Sequence, residues 1–235
     1  MKIRTNFLFF FLFFVINAIS YGSIIDNTTV GFTRSLKGKG TIETTEGTLY
    51  CKNSEDIVVS IHKPVKQWIS FENNVIRIYY PEDSIAFKII SDYPSSFSFF
   101  NTFLSVAKED FGLSDRGYTL SDHEIKEDTL ITYWSPSGKL CKTVENLKLI
   151  YVNNRIISSE IKKMDGEFIL KSSYEKHLDY GGCSFPMEIN TMILMDGDTV
   201  FEKILYRNLK SGDSLPEEIK NFKIPEDIET REVRW

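Results

Sequence analysis

The sequence predicts a mainly β protein, an antiparallel meander interrupted by one phenylalanine-rich helix. Three observations carry that reading. From Lys37 onward, short runs rich in Val, Ile, Thr, Tyr and Phe alternate with turn residues at the spacing of a meander. The turn pairs include Asn73-Asn74, Asn153-Asn154, Asp165-Gly166, Gly181-Gly182 and Asp196-Gly197, which tolerate the positive φ that tight hairpins need. Between two sets of such runs lies one stretch, residues 95–111, whose apolar period is helical.

Residues 1–22 come first. Lys2 and Arg4 precede an apolar run from Phe7 to Ile16, and small residues follow at Ala18, Ser20 and Gly22. That is the pattern of a secretory signal cleaved near Ser20–Gly22; the run falls short of the ~20 residues that span a bilayer. No Leu-x-x-Cys follows and the first cysteine is Cys51, so the chain is not expected to carry a lipid anchor itself. Residues 23–235 are expected to form a single exported domain, large enough for a substantial core.

Residues 23–35 show no strong apolar stripe. The first set of predicted strands follows at 40–45, 48–52, 57–62, 67–71, 75–80 and 84–90, with Glu46-Gly47 as the turn between the first two. The helix follows Pro94, takes Ser95 or Ser96 as its N-cap and stops at Gly112. Phe97, Phe100, Phe103 or Leu104, Ala107 and Phe111 recur at helical spacing and form one stripe, broadened by Phe99. Such a stripe suits either a lid over a curved sheet or an ordinary helix packed on one. The second set of strands is predicted at 118–125, 129–134, 140–151, 155–163, 168–176, 187–195 and 200–208. Several are apolar on both faces, for example Leu147 to Val152, and such strands need cover on each side.

Composition narrows the function. The net charge is −5, or about −7 once Lys2 and Arg4 are removed, and no basic block is present. That disfavours nucleic acid and anionic bilayers as partners. Cys51, Cys141 and Cys183 allow at most one bridge; buried free thiols and a Cys141–Cys183 pair are the two readings. His62, His123 and His177 stand apart, without the spacing of a metal or catalytic motif. Gly-x-Ser-x-Gly is absent, and Gly38-Lys39-Gly40 reads as the flexible start of a strand. The adjacent carboxylates Glu55/Asp56, Glu82/Asp83 and Glu109/Asp110 fit solvated turns and helix ends. No catalytic residue, metal or cofactor is expected, and the chain does not read as an enzyme.

Two stretches read together resemble the LolA family of periplasmic carriers of outer-membrane lipoproteins. The first runs through Gly47-Thr-Leu-Tyr-Cys-Lys52, Ile57-Val-Val-Ser-Ile-His-Lys-Pro64 and Gln67-Trp-Ile-Ser-Phe-Glu-Asn-Asn-Val-Ile-Arg-Ile-Tyr-Tyr-Pro81. The second joins Tyr206-Arg-Asn-Leu-Lys210 to Leu215-Pro216 and Phe222-Lys-Ile-Pro225, and Phe185-Pro186 is similar to a Pro-containing strand of looser relatives. The resemblance implies a half-open antiparallel β-barrel with the Phe-rich helix as a lid over the concave face. It implies a periplasmic carrier that shields the acyl chains of lipoproteins, or another lipid, on the way to the outer membrane. The implied cavity and lid residues are Ile57, Trp68, Phe71, Tyr79, Phe97, Phe100, Phe103 and Leu104. The implied partners are an inner-membrane release complex and an outer-membrane acceptor, met by a monomer. One departure stands out: the family's lid-latching cavity arginine aligns with Asn53, which lacks a charged five-donor fork. The alternatives are a LolA-like lipid- or lipoprotein-sensing module and an envelope-assembly interaction protein without transport activity.

Overall fold

The computed structural model describes residues 25–53, 56–72, 75–90, 103, 105–108, 110–138, 146–162, 168–195, 197–212 and 214–234. Within them lie β1 (Thr28–Gly38), β2 (Thr41–Cys51), β3 (Ile57–Lys63), β4 (Gln67–Glu72), β5 (Val75–Tyr80) and β6 (Ile85–Ile90). Next come β7 (Tyr118–Lys126), β8 (Thr129–Pro136), β9 (Leu147–Val152), β10 (Arg155–Lys162), β11 (Phe168–Tyr180), β12 (Cys183–Met195) and β13 (Asp198–Lys210). A one-turn helix, α1 (Glu217–Lys220), and β14 (Glu229–Arg234) complete the chain.

All fourteen strands join one sheet in the order β14-β6-β5-β4-β3-β2-β1-β13-β12-β11-β10-β9-β8-β7. Two meanders, β1–β6 and β7–β13, meet along the antiparallel pair β1–β13. The sheet is open, with β14 and β7 at its ends. It is also mixed, because β14 runs parallel to β6, which departs from the purely antiparallel arrangement expected. The hairpins follow the turn chemistry: Asn153 and Asn154 have φ of 49° and 60°, and Gly181 and Gly182 of 59° and 83°.

Three sequence expectations change. Gly38-Lys39-Gly40 closes a hairpin between β1 and β2, with φ of 48° at Lys39 and 79° at Gly40. Glu46-Gly47 is no turn, since β2 runs unbroken through it. Gly47 is there for proximity: a Cβ would collide with the Ser60 carbonyl oxygen and lie 2.7 Å from the Phe32 ring. Finally, residues 28–38, which carry no helical stripe, form the full-length central strand β1.

Register divides the core between two faces. Thr28, Val30 and Phe32 lie opposite Cys51, Leu49 and Gly47, which in turn lie opposite Ile57, Val59 and Ile61. This inner face carries the main core cluster. The intervening residues of β2–β4, Tyr50, Val58 and Trp68, point to the outer face. A second cluster forms there as Leu215, Ile219 and Phe222 pack over them. β3 thus buries both of its faces, with Val58 and Val59 fully enclosed.

The lid helix expected over residues 95–111 lies largely outside the described residues. Its described end is shorter than the stripe predicts. Phe103 and Ser105 are helical, and the chain then proceeds by i→i−3 turns: Lys108 N–H to Ser105 O, Phe111 to Lys108 and Leu113 to Asp110. Phe111 and Gly112 take left-handed φ of 57° and 66°, which an α-helix does not continue through.

Candidate functional site

The inner face is the largest apolar surface that the described residues assemble, and its two halves differ in chemistry. Its β2–β5 part gathers the apolar side chains Leu49, Ile57, Val59, Ile69, Phe71 and Ile76. On β8–β13 it also carries hydroxyls. Ser159, Ser172, Thr191 and Glu202 lie side by side across β10, β11, β12 and β13. They are paired within the face: Ser159 Oγ to Tyr174 OH and Ser172 Oγ to Thr191 Oγ1, each at 2.9 Å. Trp134 Nε1 donates to Thr132 Oγ1 at 2.9 Å, and Arg34 Nε donates to Glu202 Oε1 at 2.6 Å. Burial drives the Tyr174 and Tyr206 phenols above the usual range, so both remain neutral.

The described residues between Phe103 and Tyr118 pack on this half. Phe103 is fully buried, with its ring centroid 5.2 Å from Phe185 and 4.4 Å from Tyr206. Phe111 meets Tyr174 edge to face at 6.2 Å, and Ala107 and Leu113 join the same cluster. Polar bonds fix the segment's shape. Arg116 Nη2 donates to Ser105 Oγ at 2.6 Å, and the Asp110 carboxylate accepts the N–H groups of Gly112 and Ser114 at 2.8 and 2.9 Å. Partial burial opposes ionisation of Asp110, yet the hydrogen bonds from Ser114 and Gly112 win and hold its carboxyl below the usual range.

The expected site residues separate by face. Ile57, Phe71 and Phe103 join one cluster on the inner face. Trp68 and Tyr79 are cross-strand partners on the opposite face, and Trp68 stacks on Phe222 at 5.1 Å. Phe97, Phe100 and Leu104 lie outside the described residues. Asn53 is exposed and closes its own loop, its Oδ1 accepting the Asp56 N–H at 2.8 Å. The same inner cluster also takes in Leu49, Tyr174, Phe185 and Tyr206. Alternation with Met187 and Ile189 marks Phe185, whereas Leu49 and Tyr206 lie in consecutive apolar runs, Leu49-Tyr50-Cys51 and Ile204-Leu205-Tyr206, that do not show which face they take.

Cys51 and Cys183 are buried free thiols, and Cys141 lies outside the described residues. Burial pushes the Cys51 thiol up to about 12, which leaves it unreactive at neutral pH. Among the described residues no three His, Cys, Asp or Glu side chains gather as a metal site. No described helix is long and apolar enough to cross a membrane.

Solved structures share this architecture. A LolA superfamily protein from Nitrosomonas europaea matches with a TM-score of 0.57 and 18% identity, over 87% of this chain and 96% of that one. This is a LolA-like fold. A DUF1329 family protein from Desulfovibrio piger matches with a TM-score of 0.57 and 14% identity, over 84% and 90% of the two chains. A Vibrio parahaemolyticus domain assigned to outer membrane lipoprotein sorting matches at 0.58 and 10% identity, over 89% and 95%. No family model and no curated protein matches the sequence. At these identities the likeness is one of fold, and the LolA-like sheet keeps almost the full length of each neighbour.

Proposed function

We propose that this chain is a periplasmic carrier, exported by residues 1–22 and folded as one domain over residues 23–235. It shields the acyl chains of lipoproteins, or another lipid, between an inner-membrane release complex and an outer-membrane acceptor. The observation that supports this reading most is the apolar inner face of β2–β5, continuous with the surface on which the Phe103 segment sits. Each methylene withheld from water is worth ~0.8 kcal/mol, so a diacyl anchor crosses an aqueous compartment only under such cover. Ile57, Phe71 and Phe103 are the lining residues this assignment retains. The role needs burial and release, not bond chemistry, and the carrier acts as a monomer.

Native mass spectrometry of the mature protein, purified from its own envelope fraction and followed by lipid extraction, tests the assignment. Acyl-bearing cargo is the expected result. A ligand-free mass that persists when phospholipid and lipoprotein are both offered would overturn it, and would favour a sensing or envelope-assembly protein with the same fold.

A further inference from the structure

The ends of an open sheet expose main-chain donors and acceptors, and this sheet guards its two ends differently. β7 is protected by its own sequence. Asp122, His123 and Lys126 are exposed along it, and its register shifts between Leu120 and Asp122. At the other end the guard is a separate segment. β14 is exposed at all six positions. Its ion pairs among the described residues are Arg231–Glu229 and Arg234–Glu232, both within the strand, and a single pair to the body, Lys88–Glu232 at 3.0 Å.

The strand beneath β14 has the opposite character. β6 reads Ile85-Ala-Phe-Lys-Ile-Ile90, and Lys88 is its one charge. In the parallel register Glu229, Arg231 and Val233 lie beside Ile85, Phe87 and Ile89, so the apolar row of β6 meets two charged residues on β14. The anchor of this C-terminal stretch lies upstream, where Leu215, Ile219 and Phe222 pack on Val58, Tyr50 and Trp68. Detachment of β14 leaves that anchor in place.

We infer that β14 is an exchangeable cover, and that the edge of β6 is the docking strand for an extended segment of a partner protein. Main-chain pairing is largely indifferent to sequence, so competition between β14 and an incoming strand is decided by side chains. β14 buries none. A strand with apolar residues beside Ile85, Phe87 and Ile89 continues the apolar row, and an acid opposite Lys88 replaces Glu232 and fixes the register. The partner segment is therefore alternately apolar with one carboxylate at that position.

Two measurements test this. Hydrogen exchange on the unmodified full chain is expected to show the β14 amides opening well before those of β3–β5; β14 exchanging only with global unfolding overturns the inference. The second uses a fluorescent hexapeptide, Val-Thr-Ile-Glu-Val-Thr, as the incoming strand, with the full chain and its Arg231→Pro variant. Disrupting β14 is expected to tighten peptide binding at least about tenfold, because the competing cover is removed. Lys88→Glu in the same background is expected to weaken it. Equal affinity for both chains, or binding to neither, overturns the assignment.

Discussion

Glu188 lies on β12 with its side chain 6% exposed, held between the ammonium groups of Lys176 and Lys203. Hydrogen bonds from Lys176 and then Lys203 outweigh desolvation and lower its carboxyl from an ordinary 4.5 to about 2. A depressed carboxyl contributes stability that is fully present above its unfolded value and lost as pH falls through its folded one. The window for Glu188 therefore runs from 4.5 down to about 2. Denaturant unfolding of the wild type and Glu188→Gln is expected to show the wild type more stable at neutral pH, with the gap closing across that window. A gap of constant size from neutral to acid would show that the two lysines do not hold the charge. Cys51 illustrates the opposite case on the inner face, where burial keeps a group neutral and inert.

The outer face shows how little chain is needed to cover a strand. α1 has four residues, yet Ile219 is fully buried and Leu215 is 3% exposed against the outer face of β3. Ile219→Ala is expected to cost about 2–5 kcal/mol, because it opens a cavity where the strap of residues 215–222 packs on Val58, Tyr50 and Trp68. Chymotrypsin is expected to cleave at Phe222 sooner in the variant, since the ring then leaves its stack on Trp68. Unchanged cleavage kinetics would mean that the strap is held elsewhere. The need for this cover was legible in the sequence, because Val58 and Val59 are consecutive and a strand sends them to opposite faces. The identity of the cover was not, because a single helical turn is too short to show a period. β14 was illegible for a related reason: all six of its residues are exposed, so no alternation marks it.

The meander itself was readable, since hairpin turns and β-rich runs are local signals. The junction that unites the two meanders was not. β1 pairs with β13, and the Arg34–Glu202 bond there spans 168 residues. Nothing local specifies that distance. The expected lining divides between two faces for a simpler reason. Trp68 and Phe71 are three residues apart in one strand and must face opposite sides, so a lining that includes both contradicts the pleat. This separation allows the carrier assignment to be tested face by face. Phe71→Ala and Trp68→Ala each remove an aromatic ring from β4 and each destabilise the sheet by up to about 3–5 kcal/mol. Only Phe71 belongs to the inner cluster, whereas Trp68 stacks under the strap. Titration with a fluorescent fatty acid is expected to show weaker binding for Phe71→Ala and near wild-type affinity for Trp68→Ala, with both variants confirmed folded. Equal losses would mean that binding tracks global stability; a loss in Trp68→Ala alone would move the ligand to the outer face, beneath residues 215–222.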